Sequence, residues 1–259
     1  KKNLEEFLSA TEKKGKPPGG PNSWNSALYS CYIHPIVGYG ITGAIWYQGE
    51  SDTRDPHAYA DRFQRMISQW RTDWALGDFP FYYVQIAPFN YKGSQASGYN
   101  YLIENQTRSL ATKNTGMAVI NDIGAWKNIH PGNKKTVANR LAGIALKETY
   151  QQDLGEVHSP YFDKASIKGN SIEISLTHAD GLNIKGGALK NITLAGADKV
   201  FHPATAQIKN GALIVTSDKV AKPIAVRYGW VQKAKQFPLN LFNSAGLPAN
   251  TFRSDNWDK

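Results

Sequence analysis

The chain is poor in cysteine and methionine, with one and two copies respectively among its 259 residues. The single thiol, Cys31, permits no intrachain disulfide and no cysteine-based metal site. Because Cys31 lies in an apolar stretch, we expect it to be buried. No pair of the six histidines has metal-ligand spacing, which argues against a metal centre. No apolar run approaches the roughly 18 residues that a membrane span needs.

The chain also lacks any run of five or six like charges, although its formal net charge is +9. Lysines spread along a chain are typical of a solvated surface, and the absence of a basic block argues against a nucleic-acid arm. An excess of positive potential is still compatible with an anionic ligand. The hydrophobic fraction of 41% is enough for a substantial core.

The residues up to about 152 alternate between strand-like apolar runs and helix-like patterns. Such alternation predicts an α/β fold, with a parallel sheet covered by helices on both faces in three layers. The predicted strands are Ile41–Tyr47, Phe79–Ala87 and Gly116–Asp122, and the predicted helices are His57–Trp74, Tyr101–Lys113 and Asn133–Tyr150. The first strand has no polar alternation, which is typical of burial on both faces.

After about residue 158 the pattern changes to short alternating strands separated by turns rich in Gly, Asn and Asp. This pattern is typical of an antiparallel sandwich or barrel. We therefore predict two domains, residues 1–155 with the parallel sheet and residues 156–259 as a β-rich, sandwich-like domain. The predicted strands are Ser171–Leu176, Ile192–Leu194, Ala212–Val215 and Ile224–Tyr228.

Two loops leave the predicted parallel sheet at the carboxyl ends of its strands, where ligands bind in open sheets. Gln48-Gly49-Glu50 follows the first strand, and Asn121–Pro131 follows the third. In the second loop His130 is suited to act as a general base, since imidazole titrates near neutral pH. The alternative is that His130 is a surface or helix-capping histidine.

The first loop offers groups that stabilise a developing negative charge. The Gln48 amide can donate to an oxyanion, an effect worth about 2.7–4 kcal/mol, and Gly49 permits close approach of the backbone. Glu50 is suited to orient the histidine or to bind a substrate hydroxyl. The alternative is that Gln48 and Glu50 only satisfy a turn.

The string Trp46-Tyr47-Gln48-Gly49-Glu50-Ser51-Asp52 resembles a marker of the sialate O-acetylesterases, carbohydrate acetylesterases in the SGNH hydrolase superfamily. Further similar segments extend over essentially the whole chain. They are Leu28–Ile36, Tyr83–Phe89, Asp122–Gly124 with Ile129–Lys134, Val226–Trp230, Asn240–Asn243, Gly246–Ala249 and Phe252–Asp255. The resemblance implies an SGNH-type α/β/α domain, incomplete in this chain, followed by a β-rich domain.

The resemblance implies a serine esterase that removes O-acetyl groups from a sugar, most simply sialic acid, with no cofactor. The implied catalytic residues are His130, Gln48 and Glu50, and the implied substrate contacts are Trp46, Gly49 and Gln85. The family's Gly-Gln-Ser nucleophile segment is absent, and so is a Gly-x-Ser-x-Gly elbow. We therefore expect the serine to lie in an upstream segment or second chain, and the family resemblance predicts a secreted or periplasmic protein.

Some functional alternatives stay open at this point. The substrate is sialic acid or another acetylated glycan such as xylan, or the protein is an inactive carbohydrate-binding relative. Lys127 occupies the position three before the histidine, where the wider superfamily has Asp, and Asp122 lies eight residues upstream. The residue that orients His130 is accordingly Glu50, a backbone carbonyl, or none. The β-rich domain either binds sugar or packs on the catalytic domain, and we favour packing.

Overall fold

The computed structural model describes residues 26–230 and 237–257. The described residues fall into two compact units. The larger contains residues 42–68 and everything described from 78 onward, and the smaller contains the described residues up to 41 together with 69–77. The predicted boundary near residue 155 lies inside the larger unit and stays a prediction.

A parallel sheet of three short strands forms the first part of the larger unit. The strands β1 (Ala44–Trp46), β2 (Phe81–Val84) and β3 (Thr115–Ala118) lie in the order β1-β2-β3, with Ala44 opposite Phe81 and Phe81 opposite Thr115. The predicted parallel sheet is thus confirmed. Each strand is shorter than its apolar run, because the residues that follow it already belong to the loops at the carboxyl edge.

Helices cover both faces of the central strand β2, as the three-layer prediction requires. They are α1 (Tyr59–Trp74), α2 (Ser94–Arg108) and α3 (Lys134–Ile144). α1 and α3 begin within two residues of predicted helices, whereas α2 begins seven residues before the predicted helix Tyr101–Lys113 and ends five residues before its end. On one face Phe63 of α1 packs edge-on against Phe81 and Tyr83, at ring distances of 5.7 and 5.0 Å. On the other face Tyr82 and Val84 share a core cluster with residues of α3. Successive β2 residues therefore contact opposite layers.

One face of β1 departs from the prediction of burial on both sides. Trp46 packs towards α1, with its ring 6.3 Å from that of Phe63. Ile45 points to the opposite face and is 70% exposed. The expectation for Ile45 was wrong because α3 covers β2 and β3 on that face, and β1 is the edge strand of this sheet.

The remainder of the larger unit is antiparallel. One four-stranded sheet has the order β4-β5-β10-β9, a second has the order β13-β11-β7-β8, and β12 pairs with β6. The strands are β4 (Tyr161–Lys168), β5 (Ser171–Thr177), β6 (Asn183–Ile184), β7 (Ile192–Ala195), β8 (Phe201–Pro203), β9 (Thr205–Lys209), β10 (Ala212–Thr216), β11 (Ala225–Tyr228), β12 (Leu241–Phe242) and β13 (Phe252–Arg253).

Both four-stranded sheets contribute to a single hydrophobic core. Ile174 and Leu213 from one sheet belong to the same buried cluster as Leu194 and Val226 from the other. A shared core between two antiparallel sheets is the arrangement of a β-sandwich. The four strands predicted from sequence are present. The two edge strands of the first sheet, β4 and β9, were missed, and the burial of β4 does not alternate along the strand. The strands of two or three residues were also missed, because so few residues carry too little alternation to recognise.

The smaller unit contains two single turns, Tyr29–Ile33 and His34–Ile36, and the end of α1. The Tyr29 hydroxyl donates to Asp73 Oδ2 at 2.6 Å, and Trp74 Nε1 donates to the Tyr39 carbonyl at 3.0 Å. Cys31 is exposed, so the expectation of a buried thiol was wrong. The turn that carries Cys31 contains no buried residue, despite its apolar composition. Within the described ranges, no helix is long and apolar enough to cross a membrane.

Candidate active site

The loop Gln48-Gly49-Glu50 leaves β1 at the carboxyl edge of the parallel sheet. Gly49 has φ of 142° and is buried, and a Cβ there would lie 2.9 Å from Ile86 Cγ2. Both the dihedral and the close packing therefore require glycine. Glu50 then begins a single 3-10 turn, Glu50–Arg54, in which the Thr53 hydroxyl donates to the Glu50 carbonyl at 2.7 Å.

The Gln48 side chain is held by residues on both sides of its amide. Its Nε2 donates to Asp52 Oδ2 at 2.5 Å, and its Oε1 accepts a longer bond of 3.4 Å from the Tyr59 hydroxyl. These partners define which end of the amide is nitrogen. An amide nitrogen carries two protons, so one N–H of Gln48 is available after Asp52 is satisfied. Such an oriented, partly free donor suits the predicted oxyanion role.

Gln106 joins the ends of two parallel strands. This fully buried side chain accepts from the Ile86 amide at 3.0 Å and donates to the carbonyls of Gln48 and Val84, each at 3.4 Å. It therefore satisfies backbone groups that the loops leave after β1 and β2 end. Gln106 was not predicted as a site residue, because nothing in the neighbouring sequence distinguishes a buried glutamine within a helix from an exposed one.

Helix α2 packs directly on the turn that follows Gln48. At Gly98 a Cβ would lie only 1.8 Å from the Thr53 carbonyl oxygen, so the helix and turn touch through their backbones. Gln95, one turn earlier, donates to Thr53 Oγ1 at 3.1 Å. The turn that carries Glu50 and Asp52 is thus fixed by a helix, which is the kind of support that a preorganised site needs.

The second predicted loop contacts the segment that follows β2. The Asn90 amide donates to the Trp126 carbonyl at 2.9 Å, and a Cβ on Gly124 would lie 2.5 Å from Pro88 Cδ. At the start of α3, Lys134 Nζ lies 4.8 Å from the centre of the Tyr47 ring. The end of β1 and the end of the His130 loop therefore meet at the same edge, as the topology predicted.

His130 is exposed, and its backbone amide donates to Asn128 Oδ1 at 3.0 Å. Across the two described ranges its imidazole has no hydrogen-bond partner. Asp122 is engaged elsewhere, because Arg140 donates to both of its carboxylate oxygens at 2.7 Å and to the Val119 carbonyl at 2.6 Å. This pair is nearly buried and holds α3 to the end of β3. Neither Asp122 nor Glu50 is hydrogen-bonded to His130 here.

Two of the predicted substrate contacts lie in packed surroundings. Trp46 is partly buried between Phe63 and Phe81. Gln85 is fully buried, donating to Asn250 Oδ1 at 2.5 Å and accepting from the Ile120 amide at 3.3 Å. These contacts favour structural roles for both residues. Their contact with substrate, and the substrate contact of Gly49, stay predictions.

The closing segment of the chain reaches the parallel sheet. Asn250 donates to the Thr107 hydroxyl at 2.7 Å, and Asn121 at the end of β3 donates to the Ala249 carbonyl at 2.8 Å. Arg253, with a side chain 2% exposed, donates to both carboxylate oxygens of Glu104 on α2. These contacts support the favoured packing role for the β-rich part. They also show why Gln85, with Asn250 as its partner, is buried.

Two tyrosines at the carboxyl edge of the parallel sheet, Tyr47 and Tyr59, have raised pKa values. Burial, followed by the charge of Glu50, raises the pKa of Tyr47 to about 12. Burial also raises the pKa of Tyr59 to about 12. Both phenols stay protonated at neutral pH, and the Tyr59 hydroxyl donates to Gln48 Oε1. In the part of the chain that the structure describes, no group of three or more His, Cys, Asp or Glu residues is arranged to hold a metal.

Comparison with known proteins places this arrangement in a family. Residues 22–152, half of the chain, match the family described as carbohydrate esterase, sialic acid-specific acetylesterase. The chain belongs to this family, and it is therefore a member of the carbohydrate esterases, as the resemblance predicted.

Individual relatives agree with the family match. A carbohydrate acetylesterase from Xanthomonas citri is similar in crystal structure, with a TM-score of 0.84 and 40% identity over 91% of this chain and 55% of its own. The sialate O-acetylesterase of Homo sapiens is 27% identical over 90% of this chain and 49% of its own length. That of Mus musculus is 28% identical over 62% and 33%. The chain thus spans about half the length of the human relative.

Proposed function

We propose that this chain forms part of a serine esterase that removes O-acetyl groups from a carbohydrate, with sialic acid as the substrate. The observation that carries the proposal is the oriented Gln48 amide at the carboxyl edge of the parallel sheet, in a chain of the carbohydrate esterase family. The nucleophilic serine is supplied by polypeptide outside these 259 residues. The exposed Ile45 face of β1 supports this assignment, because a further layer there would bury it.

The proposed reaction uses three groups of this chain. The serine hydroxyl attacks the acetyl carbonyl and passes its proton to His130, which then protonates the departing sugar oxygen, so that the sugar leaves with a free hydroxyl and an acyl-enzyme remains. Gln48 donates its free N–H to the oxyanion while the tetrahedral intermediate lasts. Water then attacks the acyl-enzyme carbonyl while His130 takes its proton, and His130 returns that proton to the serine oxygen as acetate leaves. Glu50 contributes negative charge that favours the imidazolium formed at each step.

The exposure of His130 makes its role easy to test. Replacing it with Ala removes a side chain that packs on little, so folding should be retained while acetate release falls by about 100-fold or more. Acetate is measured from an O-acetylated sialic acid in the complete protein, and urea unfolding gives the stability. His202→Ala on β8 is the matched control. Acetate release unchanged in His130→Ala would refute the assignment.

Substrate class is decided by comparing acetylated substrates. O-acetylated sialic acid and acetylated xylan are supplied to the same preparation, and we expect the ratio of kcat/KM to favour the sialic acid. A preference for xylan would move the activity to another glycan and retain the ester chemistry. Sugar binding without acetate release would indicate an inactive binding protein. The SGNH class of the domain and a secreted or periplasmic location belong to the same proposal and rest on the family resemblance.

A further inference from the structure

A tryptophan and a lysine lie on either side of His130 in the chain. Trp126 precedes His130 by four residues in the loop after β3, and Lys134 follows it by four residues at the start of α3. Because four residues span at most about 14 Å, both residues lie near the candidate base. Neither residue has a role in the proposed ester chemistry.

Trp126 lies at the tip of a tight turn that is bonded to His130. Ala125 and Asn128 pair as an antiparallel bridge, in which the Asn128 amide donates to the Ala125 carbonyl at 2.9 Å. Asn128 Oδ1 in turn accepts from the His130 amide at 3.0 Å. The tips of two-residue turns usually carry Gly, Asn or Asp, which adopt the required backbone geometry most easily. Tryptophan has no such advantage, so we expect its ring to act through contacts.

The Trp126 residue is fixed in place and only partly buried. Its ring stacks on Phe237, with the ring centres 5.5 Å apart and the planes at 28°, and its carbonyl accepts from the Asn90 amide at 2.9 Å. Among the described residues, Trp126 Nε1 has no hydrogen-bond acceptor. An indole held in this way is suited to pack on the apolar face of a sugar ring and to donate to a sugar oxygen.

The Lys134 ammonium lies between the two loops of the candidate site. Its Nζ is 4.8 Å from the centre of the Tyr47 ring, and Tyr47 directly precedes Gln48. The cation–π contact fixes the position of the charge and leaves N–H donors of the ammonium for an acceptor. Lys134 forms no ion pair within residues 26–230 and 237–257. The side chain therefore presents a positive charge beside the loop that carries Gln48.

The stability of α3 does not explain a lysine at this position. Lys134 and Lys135 begin the helix, and its first turn contains no acidic residue. A cation there faces the positive end of the helix dipole, which is unfavourable. Asp122, the carboxylate at the start of the same loop, is already paired with Arg140. The positive charge at the start of α3 therefore favours an anionic ligand.

We propose that Trp126 and Lys134 form the sugar subsite of the candidate active site, with the indole against the ring of an acidic sugar and the ammonium bonded to its carboxylate. The ester of that sugar then lies beside His130, between the two residues. The inference rests on the proposed function, because it takes His130 as the catalytic base. A neutral glycan offers no carboxylate to Lys134, so the pair favours a sugar that carries one.

A ratio of two substrates tests the role of Lys134. In the complete protein, Lys134→Met should lower the ratio of kcat/KM for O-acetylated sialic acid to that for acetylated xylan about tenfold, since a hydrogen bond to a charged group is lost. Lys134→Arg should keep most of the ratio. The matched control is Lys135→Met, which removes the same charge from the helix start and should keep the ratio, because adjacent helix residues point in different directions. A fall of both kcat/KM values together in Lys134→Met, or no fall, would overturn the assignment.

A third ester tests the role of Trp126. Trp126→Ala should lower kcat/KM for both sugar esters about fivefold relative to that for ethyl acetate, which has no ring to pack on the indole. Trp126→Phe keeps an aromatic ring beside Phe237, should lose less, and carries the test if the alanine variant does not fold. An equal fall for all three esters would show that Trp126 only supports the loop of His130, and would overturn its contact with the sugar.

Binding of the deacetylated sugar separates this inference from the proposed function. Sialic acid without an acetyl group is titrated into the complete protein by calorimetry, and Lys134→Met should raise its Kd about tenfold. If the unmutated protein releases no acetate from any of the three esters, the proposed function fails, and this titration still decides whether the subsite exists. An equal Kd in the two proteins, or no binding to the unmutated protein, would overturn the subsite.

Discussion

The contact between Gly98 and the turn Glu50–Arg54 allows one methyl group to test the support of the candidate site. A Cβ at Gly98 would lie 1.8 Å from the Thr53 carbonyl oxygen, whereas real Cβ contacts are essentially never under 3.0 Å. Helix α2 and the turn must therefore separate by at least about 1 Å. We expect Gly98→Ala to lose about 1–3 kcal/mol from this overpacking.

A second helical glycine provides the control for this change. Gly143 on α3 has Val157 Cγ1 as its nearest neighbour, at 3.7 Å from an added Cβ, which is ordinary contact. Both substitutions gain about 0.5–1 kcal/mol from better helix propensity. The difference between Gly98→Ala and Gly143→Ala in the free energy of unfolding, measured in urea, isolates the steric effect and should be about 1–3 kcal/mol.

The same substitution should also reduce activity. The turn carries Asp52, which orients the Gln48 amide, and a displacement of about 1 Å in a catalytic site can lower the rate by about 100-fold. Acetate release by the complete protein should fall in Gly98→Ala and be retained in Gly143→Ala. Equal stability of the two variants would refute the packing argument, and full activity in Gly98→Ala would show that the turn does not hold the site.

Three other changes follow from the same structure. Gln106→Leu should destabilise the fold by about 1–3 kcal/mol in urea unfolding, because buried backbone groups lose their partner; a neutral result would contradict the bridging role. Arg140→Met should cost about 3–5 kcal/mol, because Asp122 stays buried without its cation, and Asp122→Asn together with Arg140→Met should recover part of the loss. The folded pKa of Tyr59, about 12, lies above its ordinary value of 10.0, so the unfolded chain releases the proton first and the free energy of unfolding falls as pH rises between those values. Tyr59→Phe should show a smaller fall between about pH 9 and about pH 11, and an equal fall would contradict the burial effect.

Much of the α/β part could be predicted from the sequence, because its strands and helices follow from patterns of residues that are close in the chain. Apolar runs that end in Gln48 or Asn121 predict strands followed by loops, and parallel strands bring those loops to one edge. The structure has both loops at that edge, with Tyr47 beside Lys134. The positions of α1 and α3 followed from apolar spacing in the same way, whereas α2 begins seven residues before its predicted start.

Burial of individual residues was harder to predict, because it depends on which parts of the chain pack against each residue in the tertiary structure. Cys31 and Ile45 are both apolar within apolar stretches, yet both are exposed. Gln85 is polar and follows a strand towards the rim, yet it is fully buried because Asn250, 165 residues away, accepts its amide. Alternation and composition depend only on a residue's neighbours in the sequence. They therefore do not predict burial that depends on such distant partners.

Short contiguous patterns in the amino-acid sequence were enough to predict three features: the order of strands and helices in the α/β part, the loop that carries Gln48 and Glu50, and the family of the chain. How that loop is held depends on tertiary contacts. Asp52 holds Gln48 through one hydrogen bond within the loop. Gln106 acts through three hydrogen bonds to backbone groups outside its own helix, and Gly98 through a backbone contact between that helix and the turn. Such contacts form when packing brings distant residues within about 3 Å, and their residue types occur equally well at positions where nothing lies opposite.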